Sequence, residues 1–335
     1  MNSISRRTFV AGTGAFLGAS MLPYRARAAD FTLRLGNDVP ESHPIHKRLA
    51  EAAELVASDS GGRLAIQVFP NSQLGSSTDM FSQVRSGALD MMTVGSPLGS
   101  VVELAGITDI AFAFSKLEQA WEAGNGELGN HVRKIVSEKA GIVMFDKVWD
   151  FGGLHQITTS TKPIVEPGDL SGMKLRVPVT PIINSTFRAL GSSPTAINYV
   201  EVYSALQTGV VDGQATSLAL IETGRFYEVQ KYLSMTGHSW SVAMLVASSN
   251  AWSQLPADLQ EIVTTRFNEA ALKECDDILA LNDQLRQSLV DRGLTVNEVD
   301  QEPFRQALRD AGYYAEWKEK FGDEAWTLLE AHSDL

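Results

Sequence analysis

Arg176 is the residue from which most chemistry could follow. It stands in Met173-Lys174-Leu175-Arg176-Val177-Pro178, an alternating stretch that predicts a short strand. A guanidinium keeps its charge and is costly to bury unpaired, so it demands a carboxylate, either from this chain or from a bound molecule. Its planar fork can hold both oxygens of a carboxylate and thereby fix a ligand's orientation. No nucleophile with a positioned base accompanies it. The chain has no Gly-x-Ser-x-Gly, His-Glu-x-x-His or P-loop pattern, and Gly12-x-Gly14 does not follow a strand. His43 and His46, three residues apart at a helix start, find no third ligand for a metal and read as solvent-facing or capping residues. Neither a metal nor a cofactor is expected.

The elements that must position Arg176 alternate between two periodicities. An alternating strand at 32–38 leads to a helical period from Ile45 to Ser58, a strand from Leu64 to Phe69, a helix from Thr78 to Ser86 and an apolar strand from Leu89 to Val94. A second set begins near Gly152 to Thr159 and continues through the Arg176 strand to a strand entered at Gly209. Strands alternating with helices imply crossovers and a largely parallel sheet. From Pro256 to about Arg292 runs a long helical pattern with Leu259, Ile262, Val263, Phe267, Ala271 and Leu272 on one face. At about 50 Å it is long enough to bridge two domains.

The motifs around Arg176 carry a resemblance. Gly172-x-Lys-x-Arg-Val, Leu190-Gly-x-x-Pro194 and Glu201-Val-Tyr-x-Ala-Leu-Gln-x-Gly-x-Val-Asp-Gly213 closely resemble the solute-binding proteins of tripartite ATP-independent periplasmic (TRAP) transporters, the DctP family. Gly61-Gly62-Arg63-Leu64, the passage to Gln73-Leu74-Gly75, Thr158-Thr159-Ser160 and Arg225-Phe226-Tyr227 extend the match over nearly all of the chain after its leader. The resemblance implies an α/β fold: a two-domain periplasmic binding protein with an interdomain ligand cleft and a long helix spanning both domains. It also implies a small organic acid as ligand and the TRAP membrane permease subunits as partners, and it makes Arg176 the carboxylate clamp. On this basis residues 29–152 with about 242–281 form one domain, and 153–241 with about 282–335 the other.

Open α/β sheets bind ligands beyond the carboxyl ends of their strands, so candidate pocket residues lie there. Asp38 with Val39, Ser72 with Gln73, Gly95 with Ser96, Asn198 with Tyr199, and Gln214 to Thr216 meet that condition. The family commonly places an asparagine where Thr216 falls, and threonine offers only its hydroxyl. Many members also carry a second arginine where this chain has His155 or Gln156. Its absence favours a monocarboxylate, and His155 could donate to a hydroxy or keto oxygen beside it. Where sialic-acid members carry acids and an arginine, Ser77, Gly95 and Leu98 stand here. Trp149, Phe151, Tyr199 and Trp240 could furnish an aromatic wall, which leans toward an aromatic or branched acid over a highly hydroxylated one. Asp212 reads as a turn or internal salt-bridge residue, with Lys174 or a backbone amide as its partner.

Ser5-Arg6-Arg7-Thr8-Phe9-Val10, the run Ala11–Leu22 and Ala26-Arg27-Ala28 predict a signal peptide at residues 1–28, with twin arginines pointing to Tat export into the periplasm. Its removal takes away Arg6, Arg7, Arg25 and Arg27 and no acid, so the formal charge falls from -12 to -16. Such a chain is a poor candidate for nucleic acid or anionic lipid, and no later segment predicts membrane insertion. The single cysteine, Cys275, cannot form an internal disulfide; it reads as a small packed residue that would be open to intermolecular oxidation if exposed. An exported enzyme acting on a small carboxylate and a stand-alone sensory binding protein are the competing readings.

Overall fold

The structure, a computed structural model, describes residues 29–335. The expected leader, with its twin arginines, lies outside the described residues. Ten strands form one sheet: β1 (Phe31–Gly36), β2 (Leu64–Phe69), β3 (Met91–Val94), β4 (Ile142–Thr159), β5 (Lys174–Val177), β6 (Ser193–Ala196), β7 (Gly213–Ser217), β8 (Tyr232–Met235), β9 (Trp240–Ser248) and β10 (Thr295–Glu298). Their order is β2-β1-β3-β9-β4-β7-β5-β6, with β8 joining β4 to β10.

The outer pairs are parallel, as alternating strands and helices dictate, but β9 runs antiparallel to β3 and β4, and β4 antiparallel to β7 and β8. The sheet is therefore mixed and not largely parallel, because β4 and β9, in its middle, pair antiparallel with each other and with their other neighbours. The strand expected from Gly209 begins only at Gly213. Residues 209–212 make the turn, and Asp212 Oδ2 accepts the backbone N–H of Lys174 at 3.0 Å, the amide alternative for that residue.

Sequence chemistry sets the helix limits. Helix Ser77–Ser86 opens on a reciprocal capping box between Ser76 and Asp79 and stops at Gly87, whose φ of 80° few other residues tolerate. The long helix, Ala257–Asp291, buries Leu259, Val263, Phe267 and Ala271 at a stride of four. Leu272, one position and about 100° past that stripe, is 48% exposed and not on the apolar face. The helix serves two cores. Its first half packs with Leu33, Leu49 and Leu245, whereas Leu285 and Leu289 join Val202, Ile221 and Leu233. Cys275 is buried on this helix, out of reach of intermolecular oxidation.

Strand β4 links the two regions. Residues 142–150 pair mainly with β9, residues 155–159 with β7, and the register shifts between Asp150 and Leu154. Gly152 and Gly153 sit in that shift with φ of 125° and 89°, and a Cβ on Gly152 would stand 2.4 Å from the Ala219 Cβ. Only glycine fits this bend.

Beside the bend the long helix buries a carboxyl. Glu274 is fully buried; its Oε2 accepts the Asp150 N–H at 3.0 Å, and its Oε1 has no hydrogen-bond partner among the described residues. Burial, and then the charge of Asp150, push it well above the usual carboxylate range. The folded state thus holds a proton that the unfolded chain releases, and this contribution is complete below the ordinary glutamate pKa and is lost as pH rises through the folded value. Urea unfolding from pH 6 to 9 should show stability falling with a slope of up to about 1.4 kcal/mol per pH unit from this group. Glu274→Gln should remove that part of the slope; parallel slopes in the two proteins would show Glu274 ionised at neutral pH.

Candidate functional site

The carboxyl ends of β1, β3, β5 and β7 converge on one cavity with an empty volume of about 610 Å³, its open mouth included. Arg176, in β5, is 3% exposed and faces it. Its Nε and Nη2 donate to the Ile197 carbonyl at 2.9 and 2.8 Å, and Nη1 donates to the Ala215 carbonyl at 3.3 Å. No carboxylate ion-pairs with it among the described residues. Of its five N–H groups, two are left for a ligand. Burial pushes it down to about 10, so it still carries its charge at neutral pH, while Tyr199 and Asp38 act in the opposite direction.

Asp38 faces the same cavity; its Oδ1 is shut off from solvent and has no hydrogen-bond partner among the described residues. Burial raises it to about 6, against the Ser77 hydroxyl and the charge of Arg176. Thr216, 1% exposed, lines the wall from β7. His155 lines it from β4, with Nδ1 3.0 Å from the Ser239 hydroxyl. Burial, and then His238 and Arg176, hold its ring neutral, well below the usual histidine value.

The apolar wall is made by Phe151, Tyr199 and Trp240. Tyr199 spends its hydroxyl on the Leu220 carbonyl at 3.1 Å, and the Trp240 indole donates to Asp150 Oδ2 at 2.7 Å. Gly95 shapes this wall together with Ser96: a Cβ on Gly95 would lie 2.8 Å from the Phe151 ring and 2.7 Å from the Val242 carbonyl. At the rim, Thr78 Oγ1 donates to Asn198 Oδ1 at 2.9 Å, and Ser100 Oγ donates to the Val179 carbonyl at 3.1 Å. Both bonds tie elements before β4 to elements after it.

Several expected residues lie outside the cavity. Trp149 is fully buried one rung deeper, opposite Ala243, in the core with Phe145 and Leu245. Gln156 spends its amide on the turn before β9, accepting from Gly237 N at 2.8 Å and donating to the Leu154 carbonyl at 3.2 Å. Gln214 pairs in register with Arg176 and donates to Thr158 Oγ1 at 2.9 Å. Ser72 and Gln73, beyond the outermost strand β2, are also absent from the lining. His43 is buried and not solvent-facing. It caps its helix through Nδ1, which accepts from Ile45 N at 3.2 Å, and its Nε2 lies 3.3 Å from the Phe151 carbonyl. No group of three or more metal-capable side chains occurs among the described residues.

Sequence reasoning missed Asp109, Leu220 and Val242, all of which line the cavity. Asp109 had a signal: it is a lone acid in the apolar run Ala105 to Phe114.

The comparisons with known proteins decide what this cavity belongs to. Residues 35–320 match the model of the DctP family, bacterial extracellular solute-binding protein family 7. The chain belongs to this family. Within it, a solute-binding protein of Roseobacter denitrificans is 33% identical over 293 residues, covering 88% of this chain and 89% of the relative. The structure of that same protein, a TRAP periplasmic solute-binding protein solved with bound L-galactonate, matches at 31% identity with a TM-score of 0.84, covering 91% of this chain and 99% of that one. A second TRAP periplasmic solute-binding protein, from Sulfurospirillum deleyianum with bound succinate, is 26% identical with a TM-score of 0.84, covering 90% and 99%. The DctP fold is therefore shared over nearly the whole described chain, and with it membership of a family of bacterial extracellular solute-binding proteins. No helix among the described residues is long and apolar enough to cross a membrane.

Proposed function

We propose that the protein is the periplasmic receptor of a TRAP transporter, which closes around a small monocarboxylate and delivers it to the membrane permease without altering it chemically. The observation that carries this reading is Arg176: a buried guanidinium, held by two carbonyls, ion-paired with no carboxylate among the described residues and with N–H groups to spare. A ligand carboxylate supplies the missing charge. Thr216 and His155 add hydrogen bonds beside it, and Phe151, Tyr199 and Trp240 cover the carbon chain. Among the described residues Arg176 is the only lysine or arginine lining the cavity, which supports one carboxylate over two. Residues 29–152 with about 242–281, and 153–241 with about 282–335, act as the two lobes, hinged at the Gly152-Gly153 bend and along the long helix.

The test has two arms. Purified protein titrated with monocarboxylates should bind at least one of them, and the acid recovered by mass spectrometry should be unchanged. Deleting the gene should abolish uptake of that acid. Conversion of the acid into a product would replace the receptor reading with an exported enzyme, and full uptake in the deletion strain would break the link to transport.

A further inference from the structure

Arg176 accounts for one carboxylate and leaves the opposite demand of the cavity unexplained. Asp109 ends the short helical turn Glu103–Asp109, is 6% exposed and lines the same cavity. Its carboxyl has no hydrogen-bond or ion-pair partner among the described residues, and its shift comes from burial alone. Arg176 enters from β5, held by the Ile197 and Ala215 carbonyls, whereas Asp109 enters from the turn Glu103–Asp109. The cavity thus takes a charged or polar group from each of two different elements, with Phe151, Leu220, Trp240 and Val242 in its wall. A buried carboxyl without a partner costs free energy that a bound donor would recover.

We infer that Asp109 is a second recognition pole, which takes a hydroxyl of the acid whose carboxylate sits on Arg176, so that the captured molecule is a hydroxylated monocarboxylate. This rests on the proposed carboxylate clamp. A second carboxylate at this end would meet Asp109 with no further lysine or arginine in the wall. An ammonium has donors only and requires an ionised partner, whereas burial pushes Asp109 up to about 8, so that it keeps its proton at neutral pH. A protonated carboxyl can both donate to and accept from one hydroxyl. Asp38 Oδ1, also without a partner, offers a second acceptor nearer Arg176.

The experiment is calorimetric titration of the purified protein with glycerate, D-erythronate and L-galactonate, each against its unhydroxylated counterpart propionate, butyrate or hexanoate, together with adipate and 6-aminohexanoate. At least one hydroxylated acid should bind about tenfold or more tighter than its counterpart. Asp109→Ala should erase that preference and leave the plain acid unaffected. Asp109→Asn, which keeps one donor group and one acceptor, should retain most of it. A plain acid or adipate binding as tightly as every hydroxylated acid, or a preference surviving in Asp109→Ala, would overturn the assignment. Preference for 6-aminohexanoate, lost in Asp109→Asn, would make this pole an ammonium site instead. Failure of every acid, or undiminished binding in Arg176→Ala, would sink the carboxylate clamp itself and this inference with it.

Discussion

Replacing Arg176 by alanine is expected to weaken capture of a monocarboxylate by about 2–5 kcal/mol, or roughly 30-fold to a few thousand-fold in Kd. The range follows from burial. The guanidinium is 3% exposed, so its bond to a ligand carboxylate forms away from water, and truncation strands the ligand's charge in a site lined by no other lysine or arginine among the described residues. The Ile197 and Ala215 carbonyls hold the fork in place before the ligand arrives, so little ordering remains to be done on binding. Arg176→Lys should recover only part of the loss, because an ammonium cannot engage two carbonyls and a carboxylate with one planar fork. Titration calorimetry checks both variants, and a Kd for Arg176→Ala within threefold of wild type would remove this residue as the anchor.

Asp150→Ala should cost about 3–5 kcal/mol of folding stability, read as a fall in the urea midpoint at unchanged slope. Asp150 is fully buried, and its two oxygens accept from four donors: the Trp121 indole at 2.9 Å, the Trp240 indole at 2.7 Å, Gly152 N at 2.8 Å and Gly153 N at 2.5 Å. Removing the carboxyl leaves all four without an acceptor, and each buried orphan costs about 1–3 kcal/mol before relaxation. Burial raises its pKa while these donors lower it, so the pocket wall and the β4 bend depend on one side chain. Asp150→Asn should fall between, since one oxygen is kept and an amide now faces N–H groups. A midpoint shift worth less than 1 kcal/mol in the alanine variant would mean that water replaces the carboxyl.

Much of the cavity was legible before the fold was known, for a specific reason. Asp38, Gly95, Ser96, Arg176, Tyr199 and Thr216 lie at or just after the carboxyl ends of strands, and a crossover sheet turns those ends toward one edge. The long helix was legible because its stride of four persists from Leu259 to Ala271. What failed was depth along a strand and commitment of side chains. Trp149 and Gln214 sit on site-bearing strands but one rung too deep, and the amide of Gln156 is spent on Gly237 and Leu154. Leu220 and Val242 reach the cavity because β7 and β9 flank β4, a pairing that local pattern does not encode. Asp109 could have been found by asking of every acid what Arg176 was asked: what offsets its burial.

The place of β9 between β3 and β4 constrains how the protein can be made. Met91 to Val94 pair with Met244 to Ala247, some 150 residues later, and the core around Leu33 and Leu49 is closed by Leu245, Val263 and Phe267. The amino-terminal half of the chain therefore leaves the ribosome with an unpaired strand edge and an open apolar face, and it waits for nearly the whole polypeptide before either is covered. A nascent chain stopped before Trp240 is therefore expected to keep this edge and this face uncovered, and not to form a smaller folded unit around them.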